Sequence, residues 1–306
     1  MRKIFTGRFF NLLVYASFLF LIIALARADY LTIPKIYSVP NLVLSFPLLM
    51  LGFYFFSLSW ARSLDYGGIK ISHHAHIAGN GLVEFGKYIP GKLWGLIGRA
   101  AYAEKHNNIP LGQASILSFK NQLMVIWAGF FTGFIGSLIV LHDRWEVWAG
   151  AVIFLILTPP LFSQKLANMF AWVSQKILRK EVNLEPFDLD MVKKVMPSAI
   201  LCWLAWSAGF YLMAQALVEG NINPISGLSY ALATNIGIAA IFAPGGIGVR
   251  EAVLVLYLNA SGLSFGEATT ISVASRLWYL FGEAVFFGWG ALAHRIHTKP
   301  KTPQSR

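Results

Sequence analysis

The residue types best suited to binding an acidic group lie in a glycine-rich segment that runs from Pro244, Gly245 and Gly246 to Arg250 and Glu251. Glycines let a ligand approach the backbone closely, and a helix that restarts after a proline begins with free amide donors and the positive end of its dipole. An arginine there adds a two-pronged donor for a phosphate or carboxylate. The segment therefore predicts an anion site. The alternative is a glycine-rich helix crossing with an internal ion pair.

A second proline-glycine segment, 154 residues earlier, repeats part of this chemistry. Pro90 and Gly91 are followed by Lys92, which lies where a helix would restart and a phosphate would sit. Glu84 and Lys87 precede the proline at a spacing that allows a local helical pair. The alternative is that these lysine side chains extend along the protein and place their charges at the cytoplasmic surface of the membrane. We expect the segment to be the counterpart of the first anion site.

Further ionisable residues lie inside apolar stretches downstream of both segments. Lys120 and Arg276 are expected to face a cavity between the segments, and Glu283 follows Arg276 by two helical turns on the same face. Glu84, Glu251 and Glu283 are candidates for ion pairing or proton coupling, since ionisable residues at membrane depth are usually functional. A buried charge network without a substrate is the alternative.

Asparagines and histidines near the two segments allow weaker predictions. Asn80 and Asn235 each precede a break and would either bind the ligand or cap the broken backbone. His73, His74 and His76 lack the cysteines or clustered acids that a metal site needs, so they are interpreted as histidines of an interfacial loop. We therefore predict neither a metal ion nor another cofactor.

The same offset of 154 residues pairs whole stretches of the chain. It aligns Gly112 with Gly266 and Ser118 with Ser272, within the segments GQASILSFKNQLMVIW and GEATTISVASRLWYLF. A shared offset indicates a duplication. Membrane proteins built from two copies with broken helices usually hold a transport site where the breaks meet.

The composition is that of a membrane protein. Of the 306 residues 56% are hydrophobic and 13% are charged, with a mean hydropathy of +0.58. Apolar runs long enough to approach or exceed a bilayer span predict six transmembrane helices: Phe9–Ala26, Asn41–Trp60, Ala114–Leu141, Val147–Phe162, Pro197–Leu217 and Ala268–Ala293.

The net charge of +11 does not indicate nucleic-acid binding, because its distribution matches positive-inside insertion. With the N-terminus in the cytoplasm, most of the 25 Lys and Arg residues, including Arg99, fall in predicted cytoplasmic segments. The predicted outer segments hold only Arg27, Lys35 and Arg144. We expect a multi-pass protein of the cytoplasmic (inner) membrane with both termini in the cytoplasm, whose basic face contacts anionic lipid head groups.

Two stretches, Ile77–Ala101 and Gly227–Leu258, are broken by glycine and proline and predict re-entrant hairpins. Three spans then separate the two copies, which makes the second copy inverted. The predicted fold is an all-α membrane domain over residues 1–293, with repeats at about 41–141 and 195–293 and a disordered polar tail at 294–306. Gln164–Lys180 predicts either an interfacial amphipathic helix or a helix packed under the bundle.

The stretches FGKYIPGKLWGLIGRA and APGGIGVREAVL resemble the lysylphosphatidylglycerol synthase transmembrane region, also described as a flippase-like membrane family. The resemblance covers about Val43 to Ala291. It implies a protein of the cytoplasmic membrane that moves, or helps to move, a lipid between leaflets. Larger members add a cytosolic domain that transfers an amino acid from tRNA to phosphatidylglycerol. Because this chain ends at Arg306, synthase activity is not expected.

The leading hypothesis is a lipid translocator, not an enzyme, for an anionic phospholipid or a polyprenyl-phosphate-linked sugar. A membrane-embedded glycosyl- or group-transferase that uses a lipid-linked donor is the second hypothesis, and a non-transporting regulatory protein is the third. A homo-oligomer or a partner glycosyltransferase is compatible with the first.

Overall fold

The computed structural model describes residues 34–88, 94–107, 109–166, 168, 186–240, 246 and 248–298, and over these residues every regular element is a helix. The main helices, in chain order, are α1 (Val39–Tyr66), α2 (His73–Gly81), α3 (Trp94–Asn107), α4 (Leu111–Val140), α5 (Trp145–Leu157), α6 (Leu189–Gln215), α7 (Ser229–Ala239), α8 (Val249–Ala260) and α9 (Phe265–Thr298). Short 3-10 helices cover Glu84–Tyr88, Pro159–Leu161 and Pro224–Leu228.

Three of the described helices, α1, α4 and α6, are long and apolar enough to cross a membrane. They contain or closely match three of the predicted spans. Helix α9 has 34 residues but a more polar composition, with Arg276 and Glu283 in its middle. The chain is therefore an all-helical membrane protein. The predicted span Phe9–Ala26 lies outside the described residues.

Several predicted boundaries differ from the structure. The predicted span Val147–Phe162 is instead the 13-residue helix α5 followed by a 3-10 turn. At 1.5 Å per residue α5 is about 20 Å long, which is short of a bilayer core. Helix α9 continues to Thr298, so the residues after Ala293 begin as helix rather than as a disordered tail. The predicted histidine loop is the start of α2, with Ser72 as its N-cap.

Of the predicted interfacial helix 164–180, only residues 164–166 and 168 are described, and they are helical. The two stretches predicted to be broken are each divided into short helices, α2 and α3 in the first stretch and α7 and α8 in the second.

Helices α1 and α6 pack along each other in the centre of the described molecule. The indole of Trp206 covers Gly52, where an added Cβ would lie 2.1 Å from the ring. Its Nε1 donates a hydrogen bond to the carbonyl of Leu49 at 3.2 Å. Phe53 packs edge-on against Trp206 and stacks on Phe286 of α9, with ring centroids 5.4 and 4.8 Å apart. The aromatic side chains thus join α1, α6 and α9 into one core.

The short helices pack against the long helix of the other half of the chain. Helix α2 lies on α9, where Gly81 and Gly290 bring the backbones together and a Cβ on either residue would lie 2.9 Å from the Cα of the other. Helix α7 lies on α4, where a Cβ on Gly133 would meet the backbone of Leu232 at 2.6 Å. Gly136, which is 154 residues before Gly290, meets Leu228 in the same region. Glycines therefore make both crossings possible.

The helix boundaries follow the offset found in the sequence. Leu111, the first residue of α4, and Phe265, the first residue of α9, are 154 residues apart. Trp94 and Val249, which begin α3 and α8, are 155 residues apart. In order and position, α1 to α4 therefore correspond to α6 to α9.

Candidate functional site

A cavity of about 510 Å³ lies among these helices, with walls contributed by both halves of the chain. Most of its wall is apolar or aromatic, including Phe56, Trp203 and Trp206. Its ionisable lining residues are Arg99, Arg250, Arg276, Glu84 and Glu283. Four of these were candidates from the sequence, and Arg99 was not.

Arg250 lies in the first turn of α8 and is 4% exposed. Its guanidinium packs over the rings of Tyr230 and Tyr279, 4.7 and 5.7 Å from the centroids, and donates to Ser275 Oγ at 3.2 Å. Its Nε is buried and makes no hydrogen bond to any of the described residues. Two rings and a hydroxyl thus hold the side chain at the cavity wall, where guanidinium is suited to binding an oxyanion.

Glu251 occupies the start of α8 that the sequence analysis assigned to a ligand. One of its carboxylate oxygens accepts the backbone N–H of Gly248 at 2.7 Å, and the other is ion-paired with Nε of Arg276. Gly248 has a φ of +84°, a conformation that favours glycine. The predicted set of free amides is therefore partly wrong, because the protein's own carboxylate caps this helix.

Arg99, in α3, is the ionisable cavity residue that sequence analysis placed in a cytoplasmic segment. It is 2% exposed. Its guanidinium donates to the carbonyl of Ser118 at 2.5 Å and to Asn80 Oδ1 at 3.4 Å, and lies 5.9 Å from the ring centroids of Phe56 and Trp60. Its Nε is buried and has no hydrogen-bond partner in the described part of the chain. The useful signal in the sequence is that Arg99 lies one helical turn after Leu96, which the offset pairs with Arg250.

The two acidic lining residues enter the cavity from different elements. Glu84 begins a 3-10 helix and is 7% exposed, and Glu283 is fully buried on α9. Asn80 lies beside them, with its amide nitrogen donating to the carbonyl of His76 at 3.0 Å. Asn80 thus bonds the backbone of α2 and contacts Arg99, while its contact with a ligand stays a prediction.

Some predicted site residues lie elsewhere. Lys120 is half-buried on α4 and does not line the cavity. Asn235 is fully buried and donates to the carbonyl of Ala231 at 2.7 Å, close to Gly129 of α4. Gly246, with a φ of +69°, packs against the backbone of Gly237. Pro90, Gly91, Lys92, Pro244 and Gly245 lie outside the described residues, and for Lys87 only the backbone, in the first 3-10 helix, is described.

The cavity lining repeats at the offset of 154 residues. Five pairs of equivalent positions line it from the two halves: Asn80 with Thr234, Glu84 with Ile238, Leu96 with Arg250, Gln122 with Arg276, and Val125 with Tyr279. The backbone therefore presents equivalent positions to one space, whereas the side chains differ. In three of the five pairs the second half supplies an arginine or a tyrosine where the first half has leucine, glutamine or valine.

Part of the cavity wall reaches the outer surface. Phe119 and Ile238 line the cavity and are 50% and 37% exposed. Thr234 Oγ1, in contrast, is the oxygen of a lining residue that is buried and makes no hydrogen bond among the residues that the structure describes. The cavity thus combines a polar interior with an apolar edge. Among the described residues no group of three or more His, Cys, Asp or Glu is arranged to hold a metal ion.

Comparison with known proteins identifies a family. Neither a curated protein nor a solved structure matches the chain. The family model described as the lysylphosphatidylglycerol synthase TM region matches residues 8–285, which include every described cavity residue. The chain therefore belongs to the family of lysylphosphatidylglycerol synthase transmembrane regions.

Proposed function

We propose that this protein moves a lipid with a phosphate-containing head group between the leaflets of the membrane. The observation that carries the proposal is the cavity with three buried or nearly buried arginines in a largely apolar wall, inside a membrane protein. Glu84 and Glu283 also line the cavity and Arg276 pairs with Glu251, so Arg99 and Arg250 are the guanidiniums that we propose favour an anionic ligand. An anionic phospholipid and a polyprenyl-phosphate-linked sugar both fit this requirement.

The apolar edge of the cavity supports a lipid rather than a water-soluble anion. Phe119 and Ile238 connect the cavity wall with the outer apolar surface of the helices. A head group bound at Arg250 would keep its hydrocarbon tail among such side chains. Such an edge lets the tail stay in an apolar environment while the head group enters the cavity, so it fits ligands with long apolar chains.

We also propose that the two halves form an inverted repeat in which α2–α3 and α7–α8 are re-entrant hairpins among six membrane spans, the shortest of which is α5 together with the 3-10 helix that follows it. The equal spacing of the helix starts supports a duplication. The exchange of packing partners, α2 on α9 and α7 on α4, supports a pseudo-two-fold relation between the halves. The cavity would then lie on the axis, as its paired lining positions suggest.

The proposed setting is the cytoplasmic membrane, with both termini in the cytoplasm and basic surface residues on anionic lipid head groups. The protein would act as a transporter rather than as an enzyme, without a cofactor, either as a homo-oligomer or beside a partner glycosyltransferase. Glu84 and Glu283 are the proposed groups for proton coupling. Glu251 is less suited because it is engaged with Arg276. Passive scrambling requires no such coupling.

The test is lipid movement in liposomes that contain the purified protein and a fluorescent phospholipid or a labelled polyprenyl-phosphate sugar. We expect movement by the wild type and a loss of tenfold or more in Arg250→Ala, which removes a charge-assisted contact. Arg62→Ala is the matched control, because Arg62 is exposed and does not line the cavity. A pH gradient across the liposome tests coupling.

The other two functions give different results in the same assay. Formation of a product from the lipid-linked donor without net lipid movement would indicate a transferase. Neither movement nor product across a broad panel of lipids would indicate a regulatory protein and would refute the proposal.

A further inference from the structure

We infer that Arg99 and Arg250 form a two-sided clamp that binds one phosphodiester, with each arginine supplied by a different half of the chain. The inference rests on the proposed function and extends it by naming the group that is bound and the second residue that binds it. Arg99 is the new element, since the sequence analysis placed it in a cytoplasmic segment and did not make it a candidate site residue.

The first argument is position. Helices α3 and α8 are equivalent, and Leu96 of α3 corresponds to Arg250 of α8 at the 154-residue offset. Arg99 follows Leu96 by three residues, so both positions lie on the same face of α3. Leu96, Arg99 and Arg250 all line the cavity. The two guanidiniums therefore approach one space from equivalent helices of opposite halves.

The second argument is the shared environment of the two arginines. Each guanidinium packs on two aromatic rings: Phe56 and Trp60 for Arg99, and Tyr230 and Tyr279 for Arg250. Each donates a hydrogen bond to the long helix that follows its own: to Ser118 of α4 or to Ser275 of α9. Both side chains are therefore held in place before a ligand arrives.

The third argument is unused bonding capacity. Arg99 and Arg250 are at least nine-tenths buried, and Nε of each has no hydrogen-bond partner in the described structure. Leaving a buried donor unsatisfied is unfavourable, more so for a charged group. Arg276, in contrast, is ion-paired with Glu251. Arg99 and Arg250 therefore each keep hydrogen-bonding capacity that the described residues do not use.

These properties fit a phosphodiester. Its single negative charge is shared between two non-bridging oxygens, so one oxygen can accept hydrogen bonds from each guanidinium. Both a glycerophospholipid and a polyprenyl-phosphate sugar carry this group. A ligand held between the two halves would also couple its binding to their relative arrangement.

The experiment measures binding to the whole protein in detergent, followed by tryptophan emission because Trp203 and Trp206 line the cavity. The probes are dihexanoylphosphatidylglycerol, a short-chain prenyl-phosphate sugar and dihexanoylglycerol, which lacks the phosphate. We expect wild-type protein to bind at least one phosphodiester at least tenfold more tightly than dihexanoylglycerol. Which phosphodiester binds more tightly identifies the source.

Single and double variants test the contribution of each arginine to phosphodiester binding. Arg99→Gln and Arg250→Gln are each expected to weaken phosphodiester binding about tenfold, and the double variant should bind no better than it binds dihexanoylglycerol. Arg62→Gln should match the wild type. Wild-type affinity in folded Arg99→Gln would overturn the inference, as would equal wild-type affinity for phosphodiester and dihexanoylglycerol.

Arg99→Lys covers the possibility that Arg99→Gln does not fold, as judged by size-exclusion chromatography. Lysine keeps the charge but loses the planar fork, so we expect an intermediate loss of affinity, and full affinity would overturn the clamp. Binding that depends on both arginines without lipid movement in liposomes would leave the clamp intact and refute the transport function. Lipid movement that is insensitive to Arg99→Gln would refute the clamp alone.

Discussion

A methyl group added at Gly290 should move α2 away from α9 and weaken both stability and function. A Cβ at this position would lie 2.9 Å from the Cα of Gly81 and 3.0 Å from the backbone nitrogen of Leu82. Ordinary contact begins near 3.4 Å, so the two helices must separate by about half an ångström. Gly81 adjoins Asn80, which contacts Arg99, so the displacement reaches the cavity.

The matched control is Gly288→Ala, on the same helix. Gly288 is exposed, and no atom lies within 4 Å of an added Cβ. Alanine in place of glycine within a helix stabilises the helix by about 0.5–1 kcal/mol, and both variants gain this stabilisation. Overpacking costs about 1–3 kcal/mol, so Gly290→Ala should be less stable than Gly288→Ala by about that amount.

The assay is thermal unfolding of both variants in the same detergent, together with lipid movement in liposomes. We expect a lower Tm and slower movement for Gly290→Ala and near wild-type movement for Gly288→Ala. Equal Tm and equal movement in the two variants would refute the reasoning, because it would mean that the α2–α9 crossing has room for a methyl group.

Three further predictions address other contacts. Glu251→Gln should lower the free energy of unfolding by about 3–5 kcal/mol, since it removes the carboxylate charge that pairs with the largely buried Arg276. Glu267→Gln, at the exposed start of α9, should cost about 1 kcal/mol or less in the same unfolding assay; equal losses would contradict a special role for the buried pair. A cysteine at Ala260, on a cysteine-free background, should react with an impermeant reagent from outside the cell, and labelling from the cytoplasm alone would reverse the proposed orientation. Asp188 has a pKa below its usual range, chiefly because the hydroxyl of Tyr66 donates to it. Its contribution to stability is present above its usual pKa and is lost as the pH falls through the lowered value, so wild type should exceed Tyr66→Phe in Tm at pH 7 and approach it near pH 3; a constant difference would refute the link.

The spacing of the helix starts could be predicted from the sequence because its markers are local. Proline and glycine fix where a helix ends, and the first residues of α4 and α9 keep the predicted separation. Arg250, Arg276 and Glu283 were found because charges inside apolar runs are conspicuous. Their presence in one cavity follows from the packing of the two halves.

Arg99 was missed for a physical reason. A charge in a glycine-rich stretch near the end of an apolar run has the same sequence pattern whether it lies at the membrane surface or inside the protein. What buries it is the carbonyl of Ser118 on α4 and the rings of Phe56 and Trp60 on α1. These contacts depend on tertiary packing, so the pattern of residues 94–107 does not reveal them.

At the start of α8 the sequence predicted the charge of the bound group but not which group it is. The helix start after the glycines was predicted to attract an anion, and the anion is the carboxylate three residues along, bound to Gly248 and to Arg276. Local electrostatics identified the need for a negative charge, whereas the three-dimensional arrangement decided which group supplies it. Lys120 does not line the cavity, because its position around the axis of α4 differs from that of the lining residues. Spacing along the sequence alone did not determine that position.

The contact between Gly81 and Gly290 also bears on biosynthesis. The surface of α2 that meets α9 is made some two hundred residues before its partner. At a synthesis rate of about 5–20 residues per second, roughly 10–40 s pass between the synthesis of that surface and the synthesis of α9. During this interval α2 is a short helix whose glycine-containing face is not yet packed against α9. Premature termination before α9 would therefore yield a protein that the quality-control machinery of the membrane should recognise and degrade.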